Sequence, residues 1–195
     1  MAELTKEQMQ AIDSYGDRVK TLKDFMTAVQ TRPTMYIGSL GSKGRLNCTR
    51  EIAQNSIDTI LDPLSPGDWF SYFTDERTSE VIIEDNGSGL PASDIIRILT
   101  SQHTSKNYER NPGEYPSGYN GVGAKIVNGL SSYYSVESYK YDGTAVRIDF
   151  ENGYPKTKEP YSIPNKEKKQ GLKTTFILNP EIMGEGYLEW KKVYN

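Results

Sequence analysis

Residues 79–91 read SEVIIEDNGSGLP, a short apolar run followed at once by a glycine-rich loop. The β-branched residues of this run predict a strand over Ser79–Asp85. The paired glycines Gly87 and Gly89 let the backbone turn closely against a flat ligand. Asp85, at the end of the strand, can accept a hydrogen bond from an exocyclic amine. Taken alone, the stretch fits a simple Asn-Gly turn better than a binding loop.

Helical periodicity precedes this stretch. Apolar residues recur at helical spacing up to Gln30, and Arg32-Pro33 ends that helix because proline removes a donor and restricts the residue before it. A second helix is predicted from about Asn47 to Leu61. Its apolar stripe consists of Cys48, Ile52, Ser56 and Ile60.

The elements that follow complete a two-layer architecture. Shorter helices are predicted over 93–101, with Ser93 as the N-cap, and over 123–130. Two alternating runs around Asp142-Gly143 predict a hairpin, and LKTTFIL at 172–178 predicts a last strand. Helices interleaved with hairpins, without a βαβ repeat, predict an α+β fold. We expect a two-layer sandwich in which a mostly antiparallel mixed sheet carries helices on one face.

Composition narrows the class of protein. The chain has 195 residues, 35% of them hydrophobic and 25% charged, which suits one globular domain. A net charge of −3 argues against a large DNA-binding face on this segment. The single cysteine, Cys48, supports neither disulfides nor a thiolate metal site, and no apolar run is long enough to cross a membrane. We expect a cytoplasmic setting without a membrane partner.

Two motifs carry residue types suited to hydrolysis. Glu51 and Asn55 leave the same helix face one turn apart, so a carboxylate can take a proton from water beside an amide oxygen that suits Mg²⁺. A polar stretch over 102–120 leads into SGYNGVGAK at 117–125, where backbone N–H groups and Lys125 can cradle phosphates. The spacing is not that of a Walker A loop. Separately, the motifs also fit a solvated helix face and a flexible turn.

The segment Thr31-Arg-Pro-Thr-Met-Tyr-Ile-Gly38 adds a helix stop and a Met-Tyr-Ile run that we expect to be a buried loop. With Glu51-x-x-x-Asn55, Asp85-x-Gly87-x-Gly89 and Asn120-Gly-x-Gly-Ala-Lys125, it resembles the ATPase domain of type II DNA topoisomerases. The order and separations agree over roughly residues 20 to 180. The form NGxGAK is closer to the eukaryotic and phage enzymes than to bacterial gyrase. The resemblance therefore implies the split ATPase fold, shared with MutL proteins, heat-shock chaperones and histidine kinases, in a bacterial or phage-infected cell.

The resemblance also implies roles for individual residues. Glu51 would be the general base, Asn55 the Mg²⁺ ligand and Asp85 the residue that reads adenine. The remaining ATP-contacting positions would be Ile37, Gly87, Gly89, Ser105, Asn107, Asn120, Gly121, Gly123 and Lys125.

The same resemblance implies partners and a domain layout. We expect an N-terminal arm and helix over 1–30 and the ATP-binding domain over 31–195, with the family's second, transducer-like domain absent. ATP binding would drive homodimerisation, and DNA and the DNA-cleaving subunit or domain would be met through the rest of the enzyme. Two alternatives remain: an ATP-gated dimerisation clamp with little hydrolysis, and a MutL-like ATPase, which the RPTMYIG segment disfavours.

Three positions depart from bacterial gyrases. Thr59 stands where gyrases typically carry a second acid, Ser88 where they carry an arginine, and Leu172 where they carry a threonine that helps to bind the base. The contacts those side chains make in gyrases are therefore in doubt here.

Overall fold

The computed structural model describes residues 25–65, 67–100 and 122–186, which form one sheet with helices packed against it. The helices are α1 (Phe25–Thr31), α2 (Pro33–Ile37), α3 (Gly41–Ile60), α4 (Ala92–Thr100), α5 (Gly123–Gly129) and α6 (Pro180–Met183). The strands are β1 (Phe70–Asp75), β2 (Glu80–Asp85), β3 (Ser131–Tyr139), β4 (Ala145–Glu151), β5 (Tyr154–Pro155), β6 (Tyr161–Ser162) and β7 (Gly171–Leu178).

The seven-stranded sheet has the order β1-β2-β7-β3-β4-β5, and β6 also pairs with β4. Every pairing among the described strands is antiparallel. The last long strand, β7, lies between β2 and β3, which brings the two halves of the chain together. The predicted α+β class is confirmed, and the sheet is more regular than the mixed one we expected.

The core lies between the sheet and the helices. Strand alternation places Val81 and Ile83 of β2 on the face that packs against α3, and both are buried. Further along this face, the ring of Tyr134 lies between Phe150 and Phe176, with ring centroids 6.1 and 6.3 Å away. Such aromatic pairs add about 0.5–1.5 kcal/mol beyond the burial of their area. The core therefore fixes β2 and α3 relative to each other.

The stripe predicted on the second helix faces this core. Cys48, Ile52 and Ser56 are buried, whereas Ile60, at the last turn, is only partly buried. The opposite face of the sheet is polar, because Arg147 forms ion pairs with Glu137 and Asp149, each at 2.8 Å. No helix in the described part of the chain is long and apolar enough to span a membrane.

Several boundaries differ from the prediction. The helix predicted from about Asn47 begins at Gly41, and Ser93 lies inside α4 rather than capping it. Pro33 ends one helix as predicted but also begins the short helix α2, where its missing N–H costs nothing. The loop assignment there was wrong, as was the burial of Met35, which is 72% exposed. Strand β1 had no counterpart among the predicted elements.

Candidate functional site

Asp85 ends β2 with its side chain turned toward the helices. It is only 3% exposed. One carboxylate oxygen accepts from the hydroxyl of Ser56 on α3 at 2.7 Å, and the other accepts from the N–H of Gly87 at 3.0 Å. Burial raises the pKa of this carboxyl, although both hydrogen bonds act in the opposite direction. The side chain is therefore held in one orientation, with lone pairs to spare.

The loop after Asp85 is packed so closely that glycine is required. A Cβ on Gly87 would lie 2.3 Å from the side chain of Thr59, and one on Gly89 would lie 2.7 Å from the carbonyl oxygen of Tyr139. Gly89 also has a φ of +64°, which favours glycine. The close backbone approach inferred from the two glycines is thus present.

Three side chains that the sequence analysis did not single out hold this loop in place. Gln170 donates to the carbonyl oxygen of Gly87 at 3.0 Å, and Lys140 donates to that of Ser88 at 2.9 Å. The hydroxyl of Ser138 accepts from the N–H of Leu90 and donates to its carbonyl oxygen, both at 2.7 Å. All three lie in or next to β3 and β7, far along the chain from the loop. They could be recognised only once the fold had shown that these strands pass beside it.

Glu51 lies against the first residue of α5. A Cβ built on Gly123 would fall 2.2 Å from the Oε2 atom of Glu51, so the carboxylate can occupy this position only beside a glycine and would have to move for any larger residue. Glu51 is exposed overall, yet partial desolvation of its carboxyl raises its pKa. The structure thus brings the predicted base to the start of the predicted phosphate-binding helix.

Asn55 and Lys125 complete the described part of the site. Asn55 is exposed and lies one turn beyond Glu51 on α3. Lys125, on α5, is only 1% exposed, and its burial lowers the pKa of its ammonium group. No cluster of three His, Cys, Asp or Glu side chains that could hold a metal occurs among the described residues.

The other predicted site residues divide into two groups. Ile37 is buried in the core, and its carbonyl oxygen accepts from Asn47 at 2.9 Å. Ser105, Asn107, Asn120 and Gly121 lie outside the described residues. Ser56 carried a signal in the sequence, since it is a polar residue inside an apolar stripe, but its role appears only with Asp85 beside it.

Both the sequence and the structure of the chain are similar to those of type II topoisomerase B subunits. The chain is 31% identical over 178 residues to the gyrase B subunit of Thermotoga maritima, covering 87% of the chain. It is 32% identical over 178 residues to the topoisomerase IV B subunit of Staphylococcus epidermidis. It also superposes on the 43K ATPase domain of Thermus thermophilus gyrase B, solved with an aminocoumarin, with a TM-score of 0.67, 27% identity and coverage of 86% of this chain. The chain belongs to the family of type II topoisomerase ATPase domains.

Coverage of the relatives is partial. This topoisomerase-type domain spans 27% of the Thermotoga gyrase B subunit, 26% of the Staphylococcus topoisomerase IV B subunit and 43% of the Thermus chain. No protein-family model matches the chain.

The structure shows the surroundings of the three positions that depart from gyrases. The hydroxyl of Thr59 donates to the carbonyl oxygen of Asn55 on its own helix at 2.8 Å, and its methyl group lies next to Gly87 in the loop after β2. Ser88 presents its carbonyl oxygen to Lys140 at 2.9 Å. Leu172 pairs with Asp85 in the β2–β7 register, so this position lies beside Asp85 and carries an apolar side chain there.

Proposed function

We propose that this domain binds ATP with Mg²⁺ between α3, the loop after β2 and the start of α5, and hydrolyses it. One observation carries the proposal. Helix α3 presents Glu51 to Gly123 at the start of α5, and five residues later its Ser56 holds Asp85 at 2.7 Å. Five residues of helix span about 7.5 Å along the axis. A single rigid element therefore sets the spacing between the hydrolytic and base-reading ends of one nucleotide.

The base-reading end suits adenine. A carboxylate offers about four lone-pair positions, and Ser56 and Gly87 take one on each oxygen of Asp85. The remaining positions can accept from the exocyclic amine of adenine but would face the carbonyl oxygen of guanine. Such a buried polar mismatch costs roughly 1–3 kcal/mol, so we expect ATP to be preferred over GTP.

The hydrolytic end suits activation of water. The raised pKa of the Glu51 carboxyl brings its basicity closer to neutral pH, where a general base is most effective. Backbone N–H groups at the start of α5 and the ammonium of Lys125 would hold the phosphates. The amide oxygen of Asn55 fits Mg²⁺, which accepts one or two protein oxygens and keeps water and phosphate as its other ligands. Mg²⁺, when bound, would neutralise charge on the phosphates.

The role in the whole enzyme follows from the family. We infer that ATP binding drives homodimerisation of this domain in the cytoplasm, and that the dimer gates DNA strand passage. DNA and the DNA-cleaving subunit would be met through the remainder of the enzyme, because the chain spans about a quarter of its relatives.

The test separates the roles of Glu51 and Asn55 in the full chain. Glu51→Ala should leave the dissociation constant for Mg²⁺-ATP nearly unchanged while turnover falls by about 10²–10⁴-fold, the usual cost of losing a general base. Asn55→Ala should weaken Mg²⁺-ATP binding itself. Glu159→Ala, an exposed glutamate in a distant loop, is the matched control and should change neither quantity.

Two results would contradict the proposal. If calorimetry detects no ATP binding, the domain is not a nucleotide-binding one. If ATP binds and promotes dimers but Glu51→Ala leaves phosphate release unchanged, the protein is an ATP-gated clamp and not an ATPase.

A further inference from the structure

A cleft of about 220 Å³ opens at the end of the sheet away from Asp85. Its lining includes Arg45 of α3, Ile177 of β7 and the turn that joins β1 to β2. In the β2–β7 register Ile177 pairs with Glu80, whereas Asp85 pairs with Leu172. Five strand residues correspond to roughly 17 Å. The cleft is therefore separate from the proposed nucleotide site.

Within the described residues, Arg45 is a buried cation without a counter-charge. It is only 4% exposed, and the hydrogen bond it forms there runs from Nη2 to the carbonyl oxygen of Gly184. Its Nε atom is buried and has no hydrogen-bond partner in that part of the chain. No ion pair among the described residues includes Arg45. The neighbouring Cys48 cannot supply a charge, because burial raises the pKa of its thiol to about 12.

This arrangement is costly unless an anion completes it. Arginine stays protonated in proteins, so burial cannot be relieved by loss of the proton. A buried charge is normally paired, since removal from water costs several kcal/mol per ion. Burial lowers the pKa of Arg45, which is the direction expected for a cation that lacks a carboxylate neighbour.

We propose that this cleft is a binding site for a phosphate-type oxyanion, with Arg45 as its principal ligand. The guanidinium fork matches the oxygens of such a group. Thr78 lines the same cleft and accepts the N–H of Glu80 at 3.3 Å, which leaves its hydroxyl proton free to point toward an anion. The volume lies below the roughly 300–1,000 Å³ of drug-sized pockets, so it suits a small ion or one phosphate group.

Glu185, which is exposed and also lines the cleft, is the competing source of negative charge. It forms no ion pair with Arg45 in the described structure, but rotation of its side chain could bring the two together. The two explanations make opposite predictions for Glu185→Gln. If an oxyanion pairs with Arg45, removing this acid strengthens anion binding; if Glu185 is itself the partner, removing it destabilises the protein.

The test is an NMR titration of the isotope-labelled full chain with inorganic phosphate against chloride at matched ionic strength. We expect phosphate, but not chloride, to shift the Nε–H signal of Arg45 and the amide signals of Ser79 and Gly186 along one saturable curve. Arg45→Met should abolish the saturable amide shifts. Glu185→Gln should lower the phosphate dissociation constant by roughly two- to fivefold, the effect of one exposed charge.

A parallel titration with a non-hydrolysable ATP analogue identifies the source of the anion. Equivalent shifts at Arg45 would assign the site to a nucleotide phosphate, and shifts confined to Asp85 and Gly87 would assign it to free phosphate. Equal responses to phosphate and chloride, or Glu185→Gln destabilisation without any phosphate effect, would overturn the proposal. The inference does not rest on the proposed ATPase function, and failure of either leaves the other standing.

Discussion

Replacing Gly123 with alanine tests whether the carboxylate of Glu51 depends on the absence of a side chain at the start of α5. The new Cβ would lie 2.2 Å from Oε2, so the carboxylate must move by about 1.2 Å to reach 3.4 Å, where ordinary van der Waals contact begins. Gly123 has none of the positive φ values seen at other glycines, so alanine fits its backbone. Alanine in a helix stabilises by up to about 1 kcal/mol relative to glycine.

Stability and activity should therefore respond in opposite directions. The exposed Glu51 side chain can rotate away, so the free energy of unfolding should stay level or rise by up to about 1 kcal/mol. Misplacing a catalytic group by 1 Å can cost about 10²-fold in rate. That factor corresponds to about 2.7 kcal/mol in the activation free energy. Thermal unfolding and phosphate release at saturating ATP measure the two quantities on one sample.

Gly129→Ala is the matched control, because it changes the other end of α5. Its Cβ would meet Met26 and Val29 of α1 at 3.1 and 3.2 Å, where these side chains must give way by a few tenths of an ångström, and Glu51 is not among its nearest neighbours. We expect a small change in stability and an unaltered turnover. In the double variant Glu51→Ala/Gly123→Ala, turnover should be no lower than in Glu51→Ala alone, since both changes remove the same group. Turnover at the unmutated level in Gly123→Ala, or losses that multiply in the double variant, would refute the reasoning.

Three further predictions concern the base-reading end. Because burial raises the pKa of Asp85, protonation on acidification should weaken its acceptor role at a higher pH than for an ordinary aspartate. ATP affinity measured by calorimetry should fall in that window, whereas Asp85→Asn should bind weakly at every pH. Because the pKa of Asp85 is higher in the folded than in the unfolded chain, this group favours folding below about pH 4, and that contribution is lost as the pH rises through the folded-state pKa. Asp85→Asn should therefore gain stability relative to the unmutated chain toward neutral pH. Profiles against pH that run parallel for the two proteins would contradict both expectations. Ser88 stands where the resemblance implies an arginine in gyrases, so we expect an aminocoumarin, the ligand in the Thermus gyrase B structure, to bind this domain far more weakly than gyrase; a sub-micromolar dissociation constant would rule this out.

Local patterns predicted the elements that carry the site but not all of their limits. The hairpin at Asp142-Gly143 and the strand before Asp85 depend on short-range signals, and both are present. The start of α3 was placed too late because glycine and serine are poor helix formers. Gly44 is needed there because the chain that enters the helix passes close by: a Cβ would lie 2.2 Å from the carbonyl oxygen of Ser39.

The sequence patterns did not predict which distant strands pair with each other. Nothing in the pattern of β7 indicates that it inserts between β2 and β3. This insertion nevertheless brings Leu172 beside Asp85 and Gln170 into contact with the loop after β2. The edge strand β1 was missed because its residues are mostly exposed or half-buried and show no clear alternation. The motifs of Glu51 and Asp85 led us to expect their roles toward a nucleotide. They did not predict which protein groups hold these two side chains.

Helix α3 shows how one physical rule supports both proposals. Its buried face carries three polar residues, Arg45, Thr49 and Ser56, and Thr49 donates to the carbonyl oxygen of Arg45 within the same helix at 3.0 Å. A buried polar group is retained only where a partner offsets the loss of water. Ser56 has that partner in Asp85, at 2.7 Å, and the pair lies at the proposed base site. Arg45 has one carbonyl oxygen and an unpartnered Nε, so the rule that accounts for Ser56 calls for an anion at the other end of the same helix.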